Sequence, residues 1–135
     1  MAWRAGLAVL VYQAVATTVA ALANYPAQFD GVGEDAAGEL FSRGTALSAP
    51  VPILLALAAA VFFARRGGRL GVSAVVLIAA IGVVFTIGSL GEAFAEPTPD
   101  VSKAVLVAGG AVGAAISVGL VAVAVADLWR RRSSQ

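Results

Sequence analysis

Four apolar stretches dominate the chain, at about 3–23, 45–64, 70–90 and 101–129. A helix needs about 20 residues to cross a hydrocarbon core of about 30 Å. Each stretch meets that length, and the fourth exceeds it, so it has to tilt or protrude. None alternates polar and apolar residues as a barrel strand does. Of the 135 residues, 60% are apolar and 13% charged. A soluble domain of this size leaves too much of its chain in water to hide such a composition. A soluble enzyme and a nucleic-acid-binding protein are therefore disfavoured together. The expected fold class is all-α: one polytopic membrane domain, a four-transmembrane-helix up-down bundle.

The connections between the stretches differ in sign. Loops 24–44 and 91–100 are acidic, whereas the turn at 64–71 and the tail at 130–135 are basic. In an alternating stack, Arg4, Arg65, Arg66, Arg69, Arg130, Arg131 and Arg132 fall at one end. Asp30, Glu34, Asp35, Glu39, Glu92, Glu96 and Asp100 fall at the other, with Arg43 and Lys103. Cytoplasmic loops carry the Arg/Lys excess, so both termini are expected in the cytoplasm and both acidic loops outside. Trp3 and Trp129 are expected at the inner headgroups, Tyr25 and Phe29 at the outer ones. The preference for Arg over Lys, amid abundant Ala and Val, is that of a GC-rich bacterial genome. The expected location is thus the bacterial cytoplasmic membrane. Ala21-Leu22-Ala23 before Asn24 matches a signal-peptidase pattern, but the apolar run before it exceeds the usual ~7–15 residues and favours an uncleaved helix.

Helix ends carry local signals. Thr98-Pro99-Asp100 reads as an N-cap, a proline at the first helical position and an acid in the first turn. Pro50 and Pro52 allow two readings of the second stretch. Either its helix begins just before them, or it begins near Thr45 and is irregular there. Irregular backbone at membrane depth is tolerated only where protein buries it or where it lines a wet cavity. Gly67-Gly68 marks a tight turn. In the first loop Ala37, Leu40, Phe41 and Gly44 follow helical spacing, which predicts a short interfacial helix with a solvated acidic face.

Polar residues inside the apolar stretches are the candidates for function. Gln13 lies near mid-span and needs an interhelical partner or a ligand. Thr17, Thr86 and Ser89 either line a polar pathway towards the outside or bond back to their own helices. Glu92 sits at a span boundary, where a solvated carboxylate costs little, and Asp127 is within reach of Arg130 and Arg131. Gly109, Gly113 and Ser117 form a small-residue face, suited to close packing within the monomer or to a homo-oligomer seam. No Cys or His is present, which removes thiol chemistry and most zinc and haem ligation. No cofactor or metal motif is found.

The segment GSLGEAFAEPTPDVSKAVLVAGG at 88–110 resembles small, uncharacterised four-helix integral membrane proteins of actinobacteria. The resemblance implies a four-span inner-membrane fold and no activity. The architecture alone is also similar to four-helix carrier subunits of the DoxX type. Three functions remain in view. The first is a non-enzymatic accessory, interaction or membrane-organising protein whose partners are the lipid bilayer, a membrane protein or a second copy. The second is a small homo-oligomeric transporter or channel for a small solute. The third, given least weight, is an enzyme at the outer face using Glu92 or Glu96.

Overall fold

The computed structural model describes residues 1–28, 31 and 33–133. The expected anchor Phe29, the loop acid Asp30 and the tail residues Ser134 and Gln135 lie outside the described residues. The regular structure is α1 (Ala2–Ala23), α2 (Val51–Ala64), α3 (Gly68–Phe94) and α4 (Lys103–Ser133). α1, α3 and α4 are long and apolar enough to cross a membrane. α2 has 14 residues, which at 1.5 Å per residue is about 21 Å and falls short of a crossing by itself.

α1 packs on α2 and α4, and α3 on α2 and, most extensively, on α4; α1 and α3 touch least. The start of α1 touches the end of α4 through Met1, Ala2 and Asp127. Arg131 near the end of α4 reaches the Ala64 and Arg66 carbonyls at the end of α2. Successive helices therefore alternate in direction. One end of the bundle gathers the arginines other than Arg43, and the other carries the two long loops.

The main core lies towards the arginine end, where Val9, Leu57, Val61, Val75, Ile78 and Leu120 are buried together. A smaller cluster of Ala46, Val101 and Leu106, with Tyr25 against it, closes the loop end. The outward faces are apolar as well: Leu7, Val11, Val15, Leu55, Val76, Val83, Ile87, Val118 and Val125 are exposed. Burying such a side chain is worth about 1.5–3 kcal/mol. A belt of them left open on every helix is stable only where the surroundings are apolar.

Glycine sets the α3–α4 contact. A Cβ on Gly110 would lie 2.5 Å from both the Ser89 carbonyl oxygen and the Ala93 Cβ. Gly113 faces Ser89 in the same contact. Ser117 is buried one turn on, and its hydroxyl donates to the Gly113 carbonyl at 2.7 Å. Gly113 and Ser117 thus serve contacts inside the chain.

The second stretch follows the reading in which its helix starts at the prolines, and other helix ends differ from the sequence expectations. The second helix begins at Val51, with Pro50 as its N-cap and Pro52 in the first turn, where a missing N–H does no harm. α4 begins at Lys103, not at Pro99. Thr98 and Val101 pair in a tight turn instead, and the Ser102 hydroxyl caps the helix by accepting the Val105 N–H at 3.3 Å. No interfacial helix forms over 37–44. Residues 36–43 coil in turns, with Ala36 buried and Phe41 70% exposed. The loop folds back over the bundle instead. Asn24 ends α1 with φ 52°, a left-handed conformation asparagine tolerates, and its Oδ1 accepts the Ala36 N–H at 3.1 Å.

Candidate functional site

The site is organised by residues 45–50, the non-helical lead into α2. Thr45 pairs with Pro26 just beyond the end of α1. Ala49 donates its N–H to Gln13 Oε1 at 3.0 Å. Gln13 lies ten residues before Ala23 on α1, about 15 Å below the helix end. Between those two ties the chain descends from the loop end to the middle of the bundle without helical hydrogen bonds.

Each backbone donor on the way down has a partner. Thr45 donates to the Ser48 carbonyl at 2.9 Å and Ala46 to the Tyr25 carbonyl at 3.0 Å. Leu47 and Ser48 donate to Thr45 Oγ1 at 3.2 and 3.0 Å. Ala49 uses Gln13, Pro50 has no N–H, and Val51 donates to the Leu40 carbonyl at 2.9 Å. Buried N–H groups require such pairing, and its completeness is what permits irregular backbone at this depth. Gly44, at φ 79°, makes the turn that starts the descent.

A half-open cavity of about 390 Å³ lies between this segment and α1, α3 and α4. Its walls are mainly apolar, with Ile53, Phe85, Gly88, Gly109 and Gly110 among them, and Gln13, Ser89, Glu92 and Arg43 supply polar points. The size is within the usual range for small-molecule sites, as is the mix of apolar wall and few polar groups.

Glu92 departs most from expectation. It is 7% exposed, not solvated at a boundary. Both of its carboxyl oxygens lie 2.9 Å from the Gln28 nitrogen, which donates its N–H to them. The cause is the long loop, which tucks Ala27 and Gln28 against the end of α3. The Gln28 side chain donates to the Pro26 carbonyl at 2.9 Å. Its Oε1 is buried and has no partner among the described residues.

The structure brings Gln13, Ser89 and Glu92 to one cavity and leaves Thr17 and Thr86 out of it. Thr86 donates back to the Gly82 carbonyl at 2.9 Å. Thr17 Oγ1 is buried without a partner among the described residues. Gly109 borders the cavity beside Leu47. Glu96 is exposed. Sequence reasoning passed over Gln28, Arg43 and the Thr45–Ser48 turn. Arg43 sits 3.7 Å from Glu39 and donates to the Gly31 carbonyl. The available signal was Thr45-x-x-Ser48 placed just before Pro50-x-Pro52, a hydroxyl turn feeding a proline-started helix.

The arginine end is tied differently. Asp127 accepts the Ala2 N–H at 2.8 Å, the Met1 amino group at 3.1 Å and Arg131 Nε at 3.3 Å. Arg131 also donates to the Ala64 carbonyl at 2.8 Å. Arg4 and Arg65 each bring a guanidinium to 5.2 Å from the Trp3 ring centroid. Trp129, the other expected anchor, is 73% exposed. Among the described residues no three His, Cys, Asp or Glu side chains gather as a metal set. No family model, curated protein or solved structure matches the chain.

Proposed function

We propose that the chain crosses the bacterial plasma membrane four times, with its termini in the cytoplasm, and binds a small, largely apolar ligand in the cavity near its outer face. It acts by binding, as an accessory or membrane-organising protein, and not as an enzyme. The observation that carries this reading is the descending segment 45–50. Its backbone donors are met by a mid-span amide and a hydroxyl turn, and it forms one wall of the cavity. A chain that only needed to span would use an unbroken helix. Interrupted spans whose irregular backbone lines a cavity are a recurrent way of building a ligand site at depth. α2 and this segment together make the second crossing.

The orientation is supported by charge. Seven arginines lie on the segments that close one end of the bundle, and Arg/Lys-rich ends stay in the cytoplasm. Binding, and not conduction, is supported by what lies beneath the cavity. Val9, Leu57, Val61, Ile78 and Leu120 fill the bundle towards the arginine end, which supports a binding role over passage through the monomer.

The test is native mass spectrometry of protein purified from its own membranes in mild detergent, wild type against Gly88→Leu. Gly88 lines the cavity, and a Cβ there meets nothing within 4 Å, so leucine fills space without a clash at its first carbon. A retained small molecule on the wild type, lost from the variant, is the expected result. Saturable solute flux through reconstituted protein, abolished by Gly88→Leu, would overturn the reading in favour of a homo-oligomeric transporter.

A further inference from the structure

The arginine end holds positive charge that the bundle itself does not answer. Its acid among the described residues is Asp127, whose oxygens are taken by Met1, Ala2 and Arg131. Arg4, near the start of α1, and Arg65, at the end of α2, are exposed and meet no carboxylate among the described residues. They are not scattered, however. Each carries its guanidinium carbon 5.2 Å from the centroid of the Trp3 ring, so one indole gathers both charges.

The platform is fixed from below. Trp3 is half-buried and packs against the main core. One turn on, Gly6 lets α1 close on α2, where a Cβ would stand 2.5 Å from Val61 Cγ2. Val61 is itself one turn before Arg65. Stacking on a ring uses the flat face of a guanidinium. Its five N–H donors lie in the plane, at the edge, and neither Arg4 nor Arg65 spends them on an acceptor among the described residues. Two such forks from neighbouring helices, steadied by one ring, suit an oxyanion, and phosphate above all.

The surroundings indicate where the phosphate comes from. Leu7, three residues after Arg4, is 49% exposed, and Phe62, three residues before Arg65, is 54% exposed. Residues three apart share a helix face, so each arginine has an exposed apolar side chain on its inward side, towards the middle of the bundle. Tryptophan and arginine at a helix end mark the level of the head groups. A free phosphate needs no apolar surface beneath it, whereas a phospholipid does, for its chains.

We propose that Arg4 and Arg65, set on Trp3, hold the phosphate of an anionic phospholipid in the leaflet at the arginine end, its acyl chains lying along Leu7 and Phe62. A zwitterionic head group fits less well, because its own cation meets the unanswered guanidinium charge. The site is at the opposite end from the cavity and stands apart from what binds there.

The experiment is native mass spectrometry of the full chain in mild detergent, titrated with phosphatidylglycerol or with phosphatidylcholine of the same acyl chains. Two double variants remove equal charge from the same end: Arg4→Gln/Arg65→Gln at the indole, and Arg69→Gln/Arg132→Gln at exposed positions elsewhere. The wild type should hold its first phosphatidylglycerol at least about tenfold more tightly than phosphatidylcholine, on the scale of one hydrogen bond to a charged group. The indole pair should lose about that factor, and the control pair less than about threefold at physiological salt, where distant charge is screened. Glycerophosphoglycerol, the same head group without chains, should not displace the lipid at equal concentration. Equal losses from the two pairs would mean a diffuse basic surface and would overturn the site. Equal retention of the two lipids would contradict the selection for an anionic head, and displacement by glycerophosphoglycerol would make the ligand a soluble phosphate ester instead of a lipid. Should the glutamine pair not be recovered folded, Arg4→Lys/Arg65→Lys keeps both charges and loses the forks. It should weaken retention by about threefold or more, and unchanged retention would sink the paired-guanidinium site.

Discussion

Replacing Gln13 with leucine keeps roughly the same volume but leaves the Ala49 N–H without its acceptor. An unmet buried donor costs about 1–3 kcal/mol. Gln13→Leu should therefore lower thermal stability in detergent by that amount, while Gln13→Glu, which retains an acceptor oxygen, should lose less. Gly110 should be still less tolerant. A side chain there meets the Ser89 carbonyl and the Ala93 Cβ at once, and overpacking of that kind costs about 1–3 kcal/mol or more. Gly110→Val should unfold at a clearly lower temperature, whereas Gly119→Ala, with nothing within 4 Å, should match the wild type. Thr86→Val should leave stability within about 0.5 kcal/mol, because its hydroxyl only bonds back to Gly82. Gln13 was legible in the sequence because an amide at mid-span has to find a partner. The burial of Glu92 was not. It depends on Gln28, 64 positions away in the chain, and no local pattern announces that the loop folds back.

At the level of elements, α1, α3 and α4 could be read from hydropathy and length alone. The second stretch could be read only in part, because Thr45, Ser48 and Pro50 interrupt its start while Ala46, Leu47 and Ala49 keep it apolar enough to join the run that follows. Apolar content marks depth but says nothing of backbone conformation there. Pro50 and Pro52 pointed to a break, and the Thr45 hydroxyl decides its form by taking the Leu47 and Ser48 N–H groups. Thr45→Val preserves shape and removes that acceptor. It should destabilise the protein by about 1–3 kcal/mol and weaken retention of the ligand, both measurable on the purified protein. The start of α4 was misread for a related reason. Thr98-Pro99-Asp100 has the composition of a helix start, but Thr98 closes a turn with Val101 and Ser102 takes over as cap.

Across the whole molecule the two ends are held by different means. At the arginine end Asp127 gathers the start of α1 and Arg131, which in turn holds the end of α2. Asp127→Ala leaves the Ala2 N–H and Arg131 without that acceptor, and a loss of about 1–3 kcal/mol is expected, read as a lower unfolding temperature with the cavity still able to bind. At the loop end the tie is the tucked loop and the segment descending to Gln13. The central claim is that this segment and the short α2 together complete a crossing, so that the first loop and the α2–α3 turn lie on opposite sides of the membrane. The chain contains no cysteine, so single cysteines can be placed without background. Ala37→Cys and Arg69→Cys, each exposed, should be probed with a membrane-impermeant maleimide in intact cells and again after permeabilisation. The account predicts that Ala37→Cys is labelled in intact cells and Arg69→Cys only after permeabilisation. Labelling of both positions from the same side would mean that the second stretch does not cross, and would contradict it.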